Sequence, residues 1–400
     1  MADVFKEYDI RGELNDEFVN NLGACFAGQY GSVVVMSDTK ESSKHLASVF
    51  SQAVSQAGFN VINCGSGPTD MCSVAGAYYN LPSVMFTASH LADDCDGVKF
   101  HDERGAPFTS SMVKGLKGLK PVKLLFEGVV SSNDFFKCYC DKVINRYQSL
   151  FKQGLKGLKV LVDLKNGCSI SPILLTMLGA EVDVVNTNGS DPCNGGINEL
   201  KAKAVDYDLV LVHDFDGDRV VVVNKNGLVH GSLIACMLTE LFKGEVVASI
   251  DTSQLLTKLA KVIFSRVGDP FVAEKIIAHG ACLGVEPSGH YIDPVFCLTS
   301  SGSLFALLIA GLIVNKSLSN RLAELPPVLI KRNDLMVNDK KLFMKNVLMR
   351  VNDKFISDVD GLKFIFKNSV ALIRPSGTEQ LIRIQLEGID DVKELVGWLA

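Results

Sequence analysis

The chain has 400 residues, of which 47% are hydrophobic and 21% are charged, and its formal net charge is −5. This length exceeds one ordinary domain and predicts two to four, and the composition is that of a compact globular protein rather than a disordered one. The acidic balance, without any basic block, argues against nucleic-acid binding.

Membrane insertion and secretion are not expected either. The longest apolar run, residues 304–314, falls well short of the roughly 20 residues that a membrane span requires. The charged start at residues 1–7 does not have the pattern of a signal peptide. The 11 cysteines include no Cys-x-x-Cys pair, which indicates free thiols in a reducing compartment. We therefore expect a cytoplasmic protein with no membrane contact.

Short β-branched runs alternate with helical patterns along most of the chain, which predicts an α/β architecture. The first cycles comprise a strand at 33–36, a helix at 43–56, a strand at 59–63, a helix at 69–79, a strand at 83–86 and a helix at 133–150. The next comprises a strand at 158–162, a helix at 172–178 and strands at 182–185 and 209–212. The third comprises a strand at 246–250 and helices at 253–264, 271–279 and 304–314.

The pattern changes after Leu325-Pro326-Pro327, the clearest linker in the chain. Strands predicted at 362–366, 370–373 and 381–386 follow in quick succession, as in a small antiparallel sheet. The predicted fold class is therefore α/β, with three similar mixed α/β domains and a smaller C-terminal α+β domain. The predicted boundaries are residues 1–150, 151–243, 244–325 and 326–400.

Three carboxylates stand at alternate positions directly after the strand predicted at 209–212: Asp214, Asp216 and Asp218. Crowded like charges repel each other unless a cation lies among them, and Mg²⁺ is a hard cation that prefers such oxygen ligands. Arg219, the next residue, indicates that an anion such as phosphate comes close to the metal. Two alternatives stay open, an aspartyl phosphatase with Asp214 as nucleophile and Asp216 as general acid, and a solvated acidic turn.

Ser89 and His90 form a second loop, which follows the strand predicted at 83–86 and extends towards Lys99. Active sites of α/β proteins lie at the carboxyl ends of such strands. Ser89 is a candidate nucleophile, and a phosphoserine at this position would offer oxygens to the metal. The alternative is a capping serine beside a surface histidine.

Two further loops have the chemistry of a sugar-phosphate site. Glu286 and Ser288 flank a tight turn and could bind vicinal hydroxyls, while His290 could act as an acid or a base near neutral pH. The last loop has the groups of a phosphate cradle, with an arginine, hydroxyls and a glycine. Its residues are Arg374, Pro375, Ser376, Gly377, Thr378 and Glu379, with Arg383 further on. Ordinary polar turns are the alternative for both.

Taken together and in this order, the four loops resemble those of the α-D-phosphohexomutase family, which includes phosphomannomutases and phosphoglucomutases. The resemblance begins at Phe5-Lys6-Glu7-Tyr8-Asp9-Ile10-Arg11-Gly12, includes residues 37–43 and ends at the Arg374 loop, so it spans nearly the whole chain. It implies four domains around one central cleft, the last related to the TATA-binding-protein fold. It also implies a phosphoserine at Ser89 and one Mg²⁺ per chain, bound by Ser89, Asp214, Asp216 and Asp218.

The resemblance further implies a reaction and a set of roles. The phosphoryl group of Ser89 passes to a hexose phosphate, and the hexose 1,6-bisphosphate, which is both intermediate and activator, returns its other phosphate to Ser89. Ser89, Arg11, Lys99 and His290 are the predicted catalytic residues, with Lys99 and His290 as candidates for handling the hydroxyl proton. The predicted substrate-binding residues are Tyr8, Arg219, Gly268, Asp269, Glu286, Ser288, Arg374, Ser376, Gly377, Thr378 and Arg383.

The start at residues 5–12 favours mannose or glucose phosphates as substrates, with glucosamine phosphate as the alternative. Departures from the family pattern, such as Leu91-Ala92 where the family has Asn-Pro, keep open a sugar-phosphate-binding homologue without catalysis. The expected partners are small sugar phosphates, and the expected assembly is a monomer or a homodimer.

Overall fold

The computed structural model describes residues 4–87, 89, 95–189, 191–351, 355–376 and 380–399. They form two compact units. The first contains the chain up to Val229 together with Ser288–Ser319, and the second contains His230–Pro287 together with the chain from Asn320 onward. Among the described residues, no helix is both long enough and apolar enough to cross a membrane.

The first unit begins with a six-stranded sheet in the order β1-β5-β4-β2-β3-β6. Its strands are β1 (Ile10–Gly12), β2 (Val33–Ser37), β3 (Val61–Ser66), β4 (Ser83–Phe86), β5 (Asp96–His101) and β6 (Val130–Ser132). Its helices are α1 (Asp16–Tyr30), α2 (Glu41–Gln56), α3 (Thr69–Tyr79), α4 (Ser110–Leu116) and α5 (Phe136–Leu150). Strands β2, β3, β4 and β6 are parallel, whereas β5 runs antiparallel to both β4 and β1.

A second sheet of the first unit carries the acidic loop, in the order β11-β10-β9-β7-β8. Its strands are β7 (Lys159–Asp163), β8 (Glu181–Val185), β9 (Leu209–His213), β10 (Val220–Asn224) and β11 (Gly227–Leu228), and its helices are α6 (Ser171–Met177) and α7 (Ile197–Lys203). Strands β9 and β10 pair antiparallel with His213 opposite Val220, so the acidic loop closes a hairpin. Both strands are buried runs of valine and leucine, which favours extended structure.

The second unit contains helix α8 (Gly231–Leu238) and three parallel strands in the order β13-β12-β14. These elements are β12 (Glu245–Ser249), β13 (Lys261–Ser265), helix α9 (Asp269–His279) and β14 (Leu283–Val285). The two-residue strand β15 (Tyr291–Ile292) and helices α10 (Gly302–Ile313) and α11 (Leu318–Ala323) come next along the chain. Helix α10 belongs to the first unit, where it packs against α5 and α6.

The C-terminal part of the second unit is an antiparallel five-stranded sheet in the order β16-β20-β19-β18-β17, as the sequence predicts. Its elements are β16 (Ile330–Met336), α12 (Lys340–Val351), β17 (Phe355–Ser357), β18 (Leu362–Phe366), β19 (Ser369–Pro375), β20 (Leu381–Glu387) and α13 (Val392–Leu399). One face of this sheet packs on the two helices through a cluster that includes Ile373, Ile384 and Leu395. The boundaries predicted for four domains stay a prediction.

Two predictions about local structure are wrong. The helix expected over 253–264 is a short 3₁₀ turn at Gln254–Lys258 followed by β13, because the β-branched and aromatic residues at 262–264 pair in parallel with β12. The loop expected around Lys99 contains β5 instead, whose partners on β4 and β1 are distant in sequence. Lys99 therefore lies on a strand. The helix at 69–79 and the strands at 83–86 and 362–366 are confirmed at the predicted residues.

The stability of the first unit should depend on His101, a buried residue at the end of β5 that contacts the Ser83 hydroxyl. Burial, together with the charge of Lys99, lowers the pKa of His101 to about 3, whereas in an unfolded chain it is about 6.5. Between these values only the unfolded chain binds the proton, so this contribution to stability falls as the pH falls from about 6.5 towards 3.

We expect His101→Asn to flatten the dependence of the unfolding free energy on pH by up to about 1.4 kcal/mol per pH unit within this window. Urea denaturation of wild type and variant at several pH values from 7 to 4.5 measures the slope. His279→Asn, at an exposed position, is the control. Equal slopes in wild type and His101→Asn would contradict the prediction.

Candidate active site

The acidic loop lies in the first unit, between β9 and β10, and its three aspartates are buried. Asp214 and Asp216 are 0% exposed and Asp218 is 1% exposed. One carboxylate oxygen from each lies within 4.8 Å of the others. Gly217, between the second and third aspartate, adopts a φ of 70°, a left-handed conformation that glycine tolerates without strain. The local turn therefore brings alternate side chains together on one side.

Basic side chains from the loop itself and from distant parts of the chain partly neutralise these carboxylates. Lys99 Nζ donates to Asp216 Oδ2 and to Asp218 Oδ2, both at 2.6 Å. Arg219 Nε lies 3.3 Å from Asp214 Oδ2, and His290 Nε2 lies 3.4 Å from Asp218 Oδ1. Lys99 reaches the loop from β5, which shows that its role depends on the pairing of distant strands.

The basic side chains do not compensate the three carboxylates equally, and the pKa values of the aspartates show the difference. Burial and the charges of Asp218 and Asp216 raise the pKa of Asp214 well above its usual value. Burial also opposes ionisation of Asp218, but Lys99, His290 and Arg219 hold the pKa of Asp218 well below its usual range. The neighbouring cations thus compensate the negative charge of Asp218 but not that of Asp214.

These residues fit a divalent cation such as Mg²⁺. Asp216 Oδ1 is buried and has no hydrogen-bond partner among the described residues. Asp214 Oδ2 and Asp218 Oδ1 also accept no hydrogen bond there, although Arg219 and His290 lie at ion-pair distance from them. Buried carboxylate oxygens rarely stay without a donor or a cation. Three such oxygens within one small volume are the donor set that a hard divalent ion takes.

Residues outside the predicted site hold the acidic loop in place. His213 Nδ1 lies 2.8 Å from the Arg219 carbonyl oxygen and His213 Nε2 lies 2.7 Å from the Ser171 hydroxyl, so the ring joins the two ends of the loop and anchors it to α6. Thr69, the first residue of α3, donates from its hydroxyl to Asp216 Oδ2 at 2.9 Å and from its amide to the Asp216 carbonyl. Sequence reasoning missed both residues, because their partners are close only in the folded chain.

Ser89 follows β4, at the carboxyl end of the strand, as predicted. It is 5% exposed, and its backbone has a φ of 53°, which is uncommon for a residue other than glycine. Its amide donates to the Thr87 hydroxyl at 2.9 Å. A serine held in this conformation at a strand end is typical of a functional turn. His90, Leu91 and Ala92 lie outside the described residues.

Arg11 lies on β1, opposite Gly97 of the neighbouring strand β5. Its Nε donates to Asp9 Oδ2 at 2.5 Å. Burial opposes the charge, but Asp9, Tyr8 and Asp216 together raise the pKa of Arg11. Arg11 and Tyr8 are therefore close to each other, and Arg11 is close enough to the acidic loop to respond to its charge.

His290 and Ser288 are brought to the acidic loop, as the sequence predicts for a shared site. Arg219 and His290 form a backbone bridge, and Arg219 Nε donates to His290 Nε2 at 3.2 Å. On the other side of the ring, Ser288 Oγ lies 3.0 Å from His290 Nδ1. The same Nε2 lies 3.4 Å from Asp218 Oδ1, so one ring nitrogen contacts both a guanidinium and a carboxylate.

The other predicted substrate residues lie in the second unit. Glu286 directly follows β14 and is 3% exposed, and its Oε1 accepts the Gly268 amide at 2.8 Å. Gly268 has a φ of 124° and precedes Asp269, the first residue of α9. Arg266, from the same loop, stacks on the Phe271 ring at 4.1 Å. The structure therefore joins the loop after β13 to the loop after β14.

Arg374 and Arg383 face each other across β19 and β20 in the same unit. Arg374 Nη2 donates to Asp360 Oδ2 at 2.6 Å, and its Nε is buried without a hydrogen-bond partner among the described residues. Lys340 Nζ donates to the Ser376 carbonyl at 2.6 Å. Gly377 and Thr378 lie outside the described residues, so the phosphate cradle predicted there stays a prediction.

Comparison with known proteins identifies the family. Models named phosphoglucomutase/phosphomannomutase match residues 2–119 (alpha/beta/alpha domain I), 229–329 (alpha/beta/alpha domain III) and 333–395 (C-terminal domain). A protein of Methanobrevibacter smithii, named probable phosphoglucosamine mutase, is 31% identical over 98% of this chain and 95% of its own length. The chain belongs to the α-D-phosphohexomutase family.

Solved structures show the same fold. A phosphoglucomutase/phosphomannomutase family protein of Burkholderia thailandensis superposes with a TM-score of 0.83 at 21% identity, covering 98% of this chain and 94% of its own. An N-acetylphosphoglucosamine mutase of Aspergillus fumigatus, solved with GlcNAc-6P and magnesium, superposes with a TM-score of 0.55 at 14% identity, covering 83% of this chain and 92% of its own. The predicted fold class, that of a phosphohexomutase with mixed α/β domains and a C-terminal domain, is confirmed.

The contact between Thr69 and Asp216 yields a test of whether the acidic loop binds a metal ion. We expect Thr69→Val to lower the affinity for Mg²⁺ by roughly 10-fold, because removing a group that orients a metal ligand typically costs 10- to 100-fold. Thr69→Ser keeps the hydroxyl and should stay within about threefold of wild type. Isothermal titration calorimetry with MgCl₂ measures both affinities, and equal losses in the two variants would contradict a role for the hydroxyl.

Proposed function

We propose that this chain is a Mg²⁺-dependent phosphohexomutase that interconverts glucosamine 6-phosphate and glucosamine 1-phosphate. The observation that carries the proposal is the buried group of Asp214, Asp216 and Asp218. One oxygen of each has no hydrogen-bond partner among the described residues, and the group shares the first unit with Ser89. Membership of an enzyme family of phosphohexomutases supports the reaction class.

In this proposal Ser89 carries the phosphoryl group that is transferred. The bond between Ser89 Oγ and phosphorus breaks, a bond from phosphorus to a sugar hydroxyl oxygen forms, and the hydroxyl proton leaves to a protein base. The hexose 1,6-bisphosphate then returns its other phosphoryl group to Ser89 Oγ, which accounts for every phosphate. When bound by Asp214, Asp216, Asp218 and the phosphoserine, Mg²⁺ supplies positive charge that stabilises the transferring group.

The basic residues divide the remaining work. Arg11, which is held by Asp9 next to β5, supplies positive charge to the phosphoryl oxygens. The two candidates for the proton have different partners: Lys99 is an ammonium bound by two carboxylates, while His290 contacts Arg219, the Ser288 hydroxyl and the Asp218 carboxylate. We assign the proton-accepting role to His290 and an electrostatic role to Lys99, because an imidazole in its neutral form has a lone pair that accepts a proton, whereas an ammonium has none.

The choice of sugar rests on the relatives. The M. smithii protein, which covers almost the same length as this chain, is named probable phosphoglucosamine mutase. The name of this relative supports glucosamine phosphate, the alternative substrate predicted from the sequence, better than the mannose and glucose phosphates that residues 5–12 favour. Glu286 and Ser288 are assigned to the sugar hydroxyls, and Arg374, Ser376, Gly377, Thr378 and Arg383 to the phosphate that does not react.

Phosphoryl transfer through Ser89 is testable by labelling. We expect ³²P-labelled glucose 1,6-bisphosphate to label the wild-type enzyme, and Ser89→Ala to abolish both labelling and turnover, because no other nucleophile replaces Oγ. Ser111→Ala, at an exposed serine, should label like wild type. Mass spectrometry of the labelled peptide locates the phosphate. Phosphate on Asp214 would favour an aspartyl phosphatase and contradict the mutase proposal.

The substrate assignment is testable with a panel of sugars. We expect kcat/KM for glucosamine 1-phosphate to exceed that for glucose 1-phosphate and mannose 1-phosphate by at least about 10-fold, which corresponds to 1.4 kcal/mol in the transition state. Coupled assays with Mg²⁺ and a trace of the corresponding bisphosphate measure all three. A preference for mannose or glucose would restore the first substrate prediction, and no turnover of any sugar by the phosphorylated enzyme would favour a binding protein. The cytoplasmic location and the monomer or homodimer state stay predictions.

A further inference from the structure

A cavity in the second unit carries charged residues of both signs. Its volume is about 680 Å³, and its lining includes the arginines Arg332, Arg374 and Arg383 and the aspartates Asp251 and Asp334. Neither Asp251 nor Arg332 stands out in the sequence, because no motif surrounds them. A cavity that offers both cationic and anionic groups suits a ligand that itself carries both charges.

The two signs come from different elements. The arginines project from β16, β19 and β20, and Arg374 lies directly opposite Arg383 in the sheet. Asp251 instead follows β12, and Val267, which also lines the cavity, follows the parallel strand β13. Because parallel strands end at the same edge, the Asp251 side of the cavity adjoins the loop of Gly268, whose amide binds Glu286. The aspartate is therefore on the side assigned to the sugar.

The loop that carries Asp251 is held by side chains from the neighbouring sheet. Lys363 Nζ, from β18, donates to the carbonyl oxygens of Ile250 at 2.8 Å and Thr252 at 2.7 Å. Gln385 Nε2, from β20, donates to the carbonyl of Asp251 at 3.2 Å. All three carbonyls of this short loop thus accept hydrogen bonds from β18 or β20. This arrangement fixes the backbone of Asp251 before any ligand binds.

The side chain of Asp251 has a surplus of negative charge beside it. Burial and the charge of Glu286 raise the pKa of Asp251, although Arg374 and Lys363 act in the opposite direction. Both of these cations have other partners, since Arg374 binds Asp360 at 2.6 Å and Lys363 binds two carbonyls. The Ser249 hydroxyl donates a hydrogen bond to Asp251 Oδ1 at 2.6 Å. A further cation at this position would stabilise both carboxylates.

We propose that Asp251 binds the protonated 2-amino group of glucosamine phosphate and so determines the preference of the enzyme for an amino sugar. This inference rests on the proposed function. The arginines of the same cavity bind the phosphate, so the two ends of the cavity match a zwitterionic substrate. Since C2 is adjacent to C1 in the sugar ring, the contact forms when the 1-phosphate, rather than the 6-phosphate, is held near Arg374.

The experiment measures binding in the Ser89→Ala background, where no turnover occurs, by calorimetry with glucosamine 1-phosphate and glucose 1-phosphate. We expect Asp251→Asn to raise the Kd for glucosamine 1-phosphate by about 10- to 100-fold, the usual range for losing a hydrogen bond between charged groups. The Kd for glucose 1-phosphate should change by less than about threefold. Asparagine keeps the acceptor that Ser249 uses, and the loop is held through its backbone, so the fold should survive.

Asp334→Asn is the matched control, because it removes one negative charge from the same cavity on the β16 side. It should leave the ratio of the two Kd values near that of Ser89→Ala alone. A pH series adds a second readout: the preference for the amino sugar should decline as the pH rises through the pKa of the sugar amine, and Asp251→Asn should remove that dependence.

Equal losses of affinity for the two sugars in Asp251→Asn, or an equal effect of Asp334→Asn on the ratio, would overturn the inference. Failure of the proposed function looks different. If the wild-type enzyme does not turn over glucosamine phosphates, yet Asp251→Asn weakens the binding of the amino sugar alone, the recognition by Asp251 stands and the reaction assignment falls.

Discussion

The constraint on which the first unit depends is the burial of three aspartates, one carboxylate oxygen of each lying within 4.8 Å of the others. Carboxylates that are removed from water cost free energy unless they are paired, and like charges at this distance add to that cost. The protein answers with an ammonium from Lys99, a guanidinium from Arg219 and the ring of His290. Arg219 belongs to the loop, whereas Lys99 and His290 come from distant parts of the chain, so several segments of the unit balance the charge of one loop.

The strand directions of the first sheet allow Lys99 to reach the aspartates. Strand β5 runs antiparallel to β4 and extends away from the end of β4 where Ser89 lies, so Lys99 and the serine turn belong to one region of the sheet. The start of α3 contributes Thr69 to the same loop, and α6 contributes Ser171 through His213. Residues that only hold the loop are thus as important to its geometry as the aspartates themselves.

The second unit solves a different electrostatic problem. Its antiparallel sheet places three arginines on one cavity, while the ends of its parallel strands carry Asp251 and Glu286. The loop of Asp251 depends on a buried lysine, Lys363, whose pKa is lowered by burial to about 8, although Glu387 and Asp251 oppose the shift. A phosphate and a sugar amine carry opposite charges, and one cavity with separate cationic and anionic sides can discriminate by both.

The sequence by itself determined the alternation of strands and helices, the antiparallel C-terminal sheet and the acidic loop, since each depends on local periodicity or on neighbouring residues. It also predicted Ser89 at a strand end, because the buried run before it is short and clear. Only the tertiary structure decided that Lys99 is the counter-ion of Asp216 and Asp218, that Thr69 and His213 hold the loop, and that Asp251 shares a cavity with Arg374. These residues are far apart in the sequence, and Thr69 and Asp216 are separated by 147 positions. Such pairings depend on strand order and burial rather than on any local pattern, and a single sequence contains no direct signal of them.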